Sequence, residues 1–286
     1  SDLHVFSKYD GDGNLINEKD TKSFLSTHKD NDFSFVDSFI DEVSEEYKEY
    51  EIYLVVSGDI ADKAKKDEFQ YAQSALKRIF EKLNIIENNI LIVPGDHDVN
   101  RLDCGFAFKD NDSGLKAYDL NIEKFEKFSA FYNNLFKSTN IKFDATIPYV
   151  HSILIEPENI LIVGFNSNFH IGTKDGLGYF DKDLLKVELE KLKQKHKKHV
   201  KIAVFHHNIV ANYKGSHFVI QWESENFAEI KNVFLEYNYN TFFYGNEHTS
   251  SSDEINDVNH SSVGSFSHKE TNPTFKVYEI HHDTNT

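Results

Sequence analysis

The chain has 286 residues, 39% of them hydrophobic, with one cysteine, no methionine and a formal net charge of -16. That length can bury a large core and suits one α/β domain with decorations better than two independent domains. The charge opposes indiscriminate binding to nucleic-acid backbones, which rewards clustered Lys and Arg, and the single Cys104 excludes an internal disulfide framework and a thiolate metal cluster.

The chain opens Ser1-Asp2-Leu3-His4 and continues into a polar stretch, residues 7 to 32, that contains Asp10-Gly11-Asp12-Gly13-Asn14. A calcium-loop register fails there: counted from Asp10, Leu15 falls where Gly is required, and counted from two residues earlier, Lys8 falls on the first ligand. These residues read as turns. Phe33, Val36, Phe39, Ile40, Val43 and Tyr47 then recur at helical spacing. A strand at 52 to 56 ends in Ser57-Gly58-Asp59, with Asp62 one step on. A helix carrying Phe69, Ala72, Leu76, Ile79, Phe80 and Leu83 crosses over to a strand at 90 to 93, a β-α-β rhythm that predicts right-handed crossovers. This second strand leaves through Pro94-Gly95 into Asp96-His97-Asp98. Three consecutive ionisable side chains there are costly to bury unless they bind metal or do proton chemistry.

Residues 101 to 120 read as an irregular insertion, and a helix follows with Ile122, Phe125, Phe128, Tyr132 and Leu135 on one face; together, 101–148 is expected to form a cap over the site. Ile153-Leu154-Ile155 and Ile160-Leu161-Ile162-Val163 predict a hairpin, whose second strand runs into Gly164-Phe165-Asn166-Ser167. A helix begins at Asp181, a good N-cap, with Leu185, Leu189 and Leu192 inward. The lysines between 191 and 201 offset the helix macrodipole, or alternatively form a phosphate-binding patch. A strand at 200 to 205 delivers His206 and His207. A helix at 227 to 237, with Phe227, Ile230, Val233, Phe234 and Tyr237, leads to a strand at 241 to 244 and Gly245-Asn246-Glu247-His248. Residues 261 to 266 and 275 to 280 read as closing strands, and His281 and His282 as solvated. His28, His151, His170, His196, His199, His217, His260 and His268 read as surface or packed imidazoles. No apolar run approaches the roughly 20 residues of a membrane helix, and the start shows no signal-peptide pattern.

Five segments thus place Asp, His or Asn at the end of an apolar run or in a D-x-H pair. These residue types suit hard to borderline divalent cations, and in an open α/β sheet the carboxyl ends of strands converge on one spot. The alternation of buried strands with amphipathic helices predicts a four-layer α/β/β/α sandwich of two facing mixed sheets flanked by helices, as a single domain over 1–286.

Asp2 and His4, Gly58-Asp59 with Asp62, Gly95-Asp96-His97-Asp98, His206, and Gly245-Asn246-Glu247-His248 stand in the order of the signature of the calcineurin-like metallophosphoesterase superfamily, which the chain resembles. The resemblance implies two divalent metal ions, Mn²⁺ foremost with Mg²⁺, Fe or Zn²⁺ as alternatives. Metal one would sit on Asp2, His4, the bridging Asp59 and His248; metal two on Asp59, Asp96, His206 (or His207) and Asn246. A bridging hydroxide would attack phosphorus, and His97, held by Asp98, would protonate the leaving alkoxide. Asn166, His207 and Asp62 are pocket candidates. Asp96 stands where the family has Asn and Asn246 where it has the first His, a harder donor set that favours Mn²⁺ or Mg²⁺ over Zn²⁺. The implied activity is a phosphodiesterase or nuclease acting on a nucleotide or nucleic-acid phosphoester; the single cysteine fits a reducing, cytoplasmic compartment, and the lack of a long apolar run speaks against a membrane partner. The alternative is a degenerate domain serving as a binding or regulatory module. The resemblance also calls for an apolar strand before Asp2, so the chain is expected to be part of a longer protein with further domains or subunits.

Overall fold

The computed structural model describes residues 2–10, 12–29, 32–101, 122–156, 158–171, 176–208, 212–214, 217–219, 221–271 and 273–280. The predicted first helix is α1 (Ser34–Glu46), which buries Val36, Ile40 and Val43. Strand β1 (Leu54–Val56) leads to α2 (Lys66–Lys82) and to β2 (Ile90–Ile92), and the two strands pair in parallel with Val56 opposite Ile92. The start of α2 is secured by Glu68, whose carboxylate accepts the Lys65 and Lys63 amides at 2.9 and 3.0 Å and, across the chain, the Ser7 amide at 3.2 Å. One buried side chain thereby ties the amino-terminal segment to the loop that follows β1.

After α3 (Glu126–Leu135) come β3 (Tyr149–Ile155) and β4 (Ile160–Phe165), the predicted hairpin, paired antiparallel. Helix α4 (Lys182–Lys195) is capped by the Asp181 side chain, which accepts the Asp183 and Leu184 amides at 3.0 Å. Strand β5 (Val200–Val204), the small hairpin of β6 (Asn212–Lys214) and β7 (His217–Val219), α5 (Ser224–Glu236), β8 (Tyr239–Tyr244), β9 (Ser251–Ile255) and β10 (Val258–Ser262) complete the order. The large sheet runs β3-β4-β5-β8-β10-β9, with β4, β5, β8 and β10 parallel to one another.

Because strand side chains alternate between faces, this sheet feeds two cores. Ile162 and Val204 join Leu91, Ile92 and the inward residues of α1, α2 and α3, while Leu161, Val163, Phe165, Phe205 and Phe242 join Leu185, Leu189, Ile230 and Phe234 of α4 and α5. The layers are therefore helices, the β1-β2 sheet, the six-stranded sheet and helices, the architecture expected from sequence. The aromatic stripe of α3 is core: Phe128, Tyr132 and Leu135 are buried, and the Phe131 and Phe69 rings stack at 5.4 Å. Ile122 does not join it and stays 49% exposed.

Two expectations at the carboxyl-terminal end need correction. The closing strand is 258 to 262 rather than 261 to 266, and it forms a hairpin with β9 through Asn256 and Asp257, both at positive φ (54° and 60°). Residues 275 to 280 form no strand. The insertion from 102 to 120, Cys104, His281, His282 and the side chains of Phe227 and His217 lie outside the described residues. No helix among the described residues is long and apolar enough to cross a membrane.

Candidate metal centre

The site forms where parallel strands stop. Strand β1 ends at Val56 and delivers Asp59, β2 delivers Asp96 and His97, β5 delivers His206, and β8 delivers Asn246 and His248. The Asp2–His4 segment lies alongside: the His4 amide donates to the Asp59 carbonyl at 2.8 Å, and Val5 bridges Ala61 in parallel. Polar side chains collect here because each strand's apolar run is consumed by the cores just before this edge.

Backbone strain is stored at the same place. His4, Asp59, Asn246 and His248 all adopt left-handed φ (44°, 49°, 66° and 53°). This conformation costs on the order of 1 kcal/mol or more per non-glycine residue, and it turns four polar side chains into one pocket. Close approach demands glycine as well: a Cβ on Gly95 would lie 2.0 Å from Asp59 Oδ1.

Asp59 Oδ2 lies 3.4 Å from His4 Nε2 on one side and 3.3 Å from His206 Nε2 on the other. Around the first of these, Asp2, His4, Asp59 and His248 each offer a ligand atom within 4.8 Å of the rest. His4 Nε2 and His248 Nε2 are 2.8 Å apart, and His248 Nε2 is 3.5 Å from Asp2 Oδ2. On the other side, His206 Nε2 is also 3.3 Å from Asp96 Oδ1, while its Nδ1 donates to the Ser57 carbonyl at 2.8 Å, which fixes the ring. Asn246 donates its backbone N–H to the Asp2 carboxylate at 3.1 Å and lines the same cleft as Asp59, His97 and His248.

The electrostatics fit cations. Burial pushes the Asp2 carboxyl up to about 7 and drives the imidazoles of His4 and His248 down to about 3 and about 4, so both rings are neutral and offer lone pairs. Burial would also raise Asp59, but His206 and then His97 hold its carboxyl well below the usual range. On the side of Asp2, His4 and His248, neutral imidazoles facing buried carboxylates are the donor set that a divalent ion needs.

The His97 imidazole is placed by Asp62, not Asp98. His97 Nδ1 donates to the Asp62 carbonyl at 2.6 Å, and an Asp62 carboxylate oxygen lies 3.9 Å away. Asp98 instead points inward and accepts three amides, from Ile60 (3.1 Å), Ala61 (2.9 Å) and Gly95 (2.9 Å). It clamps the loops that follow β1 and β2 together. Burial would lower the His97 imidazole, but the carboxylates of Asp59 and Asp96 outweigh it and raise the ring to about 9.

His207 turns away from the centre, with Nδ1 on Ser167 Oγ at 2.8 Å and Nε2 donating to the Gly176 carbonyl at 3.0 Å, so His206 is the histidine that faces Asp59 and Asp96. Asn166 is fully buried and its side-chain oxygen is occupied by the Asn168 amide at 3.0 Å. The cleft, about 500 Å³, is walled on its far side by His268, Glu270 and Thr271. His268, read from sequence as an isolated imidazole, stands 5.4 Å from the His248 ring and 6.5 Å from the His4 ring, centroid to centroid. No local pattern marks it; the antiparallel bridge from Ser23 to His268 and the Phe266 amide on the Asp2 carbonyl at 3.0 Å bring it in.

The chain matches the calcineurin-like phosphoesterase family over residues 1–250 and belongs to that family. Similar solved structures include TT1561 of Thermus thermophilus, at 12% identity and a TM-score of 0.48, covering 82% of this chain and 84% of that one. Another is the phosphopantetheinyl hydrolase of Mycobacterium tuberculosis, at 13% identity and a TM-score of 0.44 over 74% and 79% of the two chains. A putative 5'-nucleotidase of Staphylococcus aureus is similar at 10% identity and a TM-score of 0.43 over 79% of this chain and 42% of that one. No curated protein matches.

Proposed function

We propose that the chain is a two-metal phosphodiesterase acting on a nucleotide-sized phosphodiester in the cytoplasm. The observation that carries this reading is the position of Asp59 Oδ2, between His4 Nε2 at 3.4 Å and His206 Nε2 at 3.3 Å: one carboxylate oxygen shared by two sets of ligands. Asp2, His4, Asp59 and His248 would hold one ion, and Asp59, Asp96, His206 and Asn246 the other. Bound there, such ions supply charge neutralisation for phosphoryl oxygens and a nucleophile at neutral pH.

The protein's own groups do the rest. His97 lines the cleft with Nδ1–H committed to the Asp62 carbonyl, so Nε2 is the atom left to hold a proton for the leaving oxygen. Asp98 keeps the loops carrying Asp59 and His97 in register. The cleft's lining includes the carboxylates Glu247 and Glu270 and, among the described residues, no Lys or Arg. That wall favours a compact diester over a long polyanionic strand, whose binding needs clustered cations.

A panel with Mn²⁺ tests this: bis-p-nitrophenyl phosphate, a cyclic nucleotide, a phosphomonoester and single-stranded DNA. Hydrolysis of the small diesters, with DNA slower, supports the reading. A chain that binds metal yet hydrolyses none of the four is instead a binding module.

A further inference from the structure

Asp96 is 7% exposed and lies in the same group of potential ligand atoms as Asp59 and His97. A second carboxylate there raises the repulsion in a buried pocket, so its charge needs a partner. Its two oxygens have different surroundings. Oδ1 faces His206 Nε2 at 3.3 Å, whereas Oδ2 receives a hydrogen bond from Arg101 Nη2 at 2.7 Å. A third element closes over this pair: a Cβ on Gly176 would lie 2.6 Å from Asp96 Oδ2 and 2.9 Å from Arg101 Nη2, so a side chain there would push directly against the pair. The same Gly176 takes the His207 Nε2–H on its carbonyl, which anchors that backbone to the strand-end that also carries His206.

We propose that Arg101 is a positioning residue for the second metal position: it occupies Asp96 Oδ2, leaves Oδ1 as the single oxygen turned toward His206, and makes the Asp96–Arg101 pair formally neutral. The pair thus does electrically what a neutral side chain does, while still offering a carboxylate oxygen. The contact is a single Nη2 hydrogen bond, and a planar guanidinium directs such a bond better than a freely rotating ammonium does. Removing Arg101 leaves the buried Asp96 carboxylate uncompensated, whereas removing Asp96 leaves a half-exposed guanidinium beside the centre.

This rests on the two-metal reading, and the test separates the two. Mn²⁺ binding by calorimetry and the melting temperature without metal are measured on the full chain, for the parent, Asp96→Asn, Arg101→Gln and the double variant. Asp96→Asn leaves a bare guanidinium beside the centre and should weaken the weaker of two Mn²⁺ ions by about tenfold or more. Adding Arg101→Gln should recover most of that loss, so the substitutions are strongly non-additive. Without metal, Arg101→Gln should lower the melting temperature in the parent but not in the Asp96→Asn background, and Arg101→Lys should keep the melting temperature while only partly preserving the weaker ion's affinity. Equal effects of Arg101→Gln in both backgrounds, on binding and on melting, would overturn the proposal. A parent that takes up one ion refutes the two-metal reading alone, and the pair is then judged on the metal-free melting temperatures.

Discussion

His97 Nδ1 sits 2.6 Å from the backbone carbonyl of Asp62, 35 residues earlier in the chain. A carbonyl can only accept, so this contact fixes the tautomer and turns Nε2 to the cleft.

His97→Ala should therefore lower turnover of substrates with poor leaving groups by about 10²-fold or more, and of activated aryl diesters far less. Bound metal should stay at the parent level. Equal losses on both substrate types, or loss of metal, would make His97 a ligand instead of an acid.

Asp98→Ala should act on stability first. Three buried amides lose their acceptor, at ~1 kcal/mol or more apiece, so urea unfolding should show a loss on the order of 3 kcal/mol with an unchanged m-value. A loss below about 1 kcal/mol would mean that water replaces the carboxylate and that the clamp is dispensable.

Burial pushes the His151 imidazole down to about 4 from an ordinary 6.5, and its Nε2 has no partner. Between those values the unfolded chain takes up the proton and the folded chain does not, so stability falls as pH drops from about 6.5 to about 4 and levels off below. His151→Phe should flatten that part of the stability profile in urea titrations. Parallel profiles for parent and variant would show that the acid sensitivity arises elsewhere.

His268→Ala should raise KM for a small diester several-fold and leave both kcat and metal content near the parent values, because the ring walls the cleft without belonging to the Asp2, His4, Asp59, His248 group. An unchanged KM would remove His268 from the substrate-binding wall.

The parts legible in the sequence were those in which a short apolar run ends abruptly in charge. Ile90-Leu91-Ile92 before Asp96 and Val204-Phe205 before His206 announce both a buried strand and a polar exit, and the structure brings these exits to one edge. The hairpin at 251 to 262 was not legible because β9 is almost wholly exposed and carries no apolar alternation; only Asn256-Asp257, a pair that tolerates positive φ, signalled its turn. Conversely, Phe275, Val277 and Ile280 look like a strand yet pair with nothing in a ladder. The sequence pairs His97 with Asp98 by adjacency in the chain, whereas in the fold His97 meets Asp62 and Asp98 takes the amides of Ile60, Ala61 and Gly95. Asp62 reaches His97 only after the β1 and β2 loops are laid side by side, and His268 arrives from beyond the family's matched residues.

The shared role of Asp59 is tested most directly by counting ions. Equilibrium dialysis against Mn²⁺ should give two bound ions per chain for the parent, and Asp59→Asn, which keeps the shape and removes the charge, should lose at least one and hold the other about tenfold or more weakly. An Asp59→Asn chain that still binds two ions at parent affinity, or a parent chain that binds none, would contradict a centre built around that carboxylate.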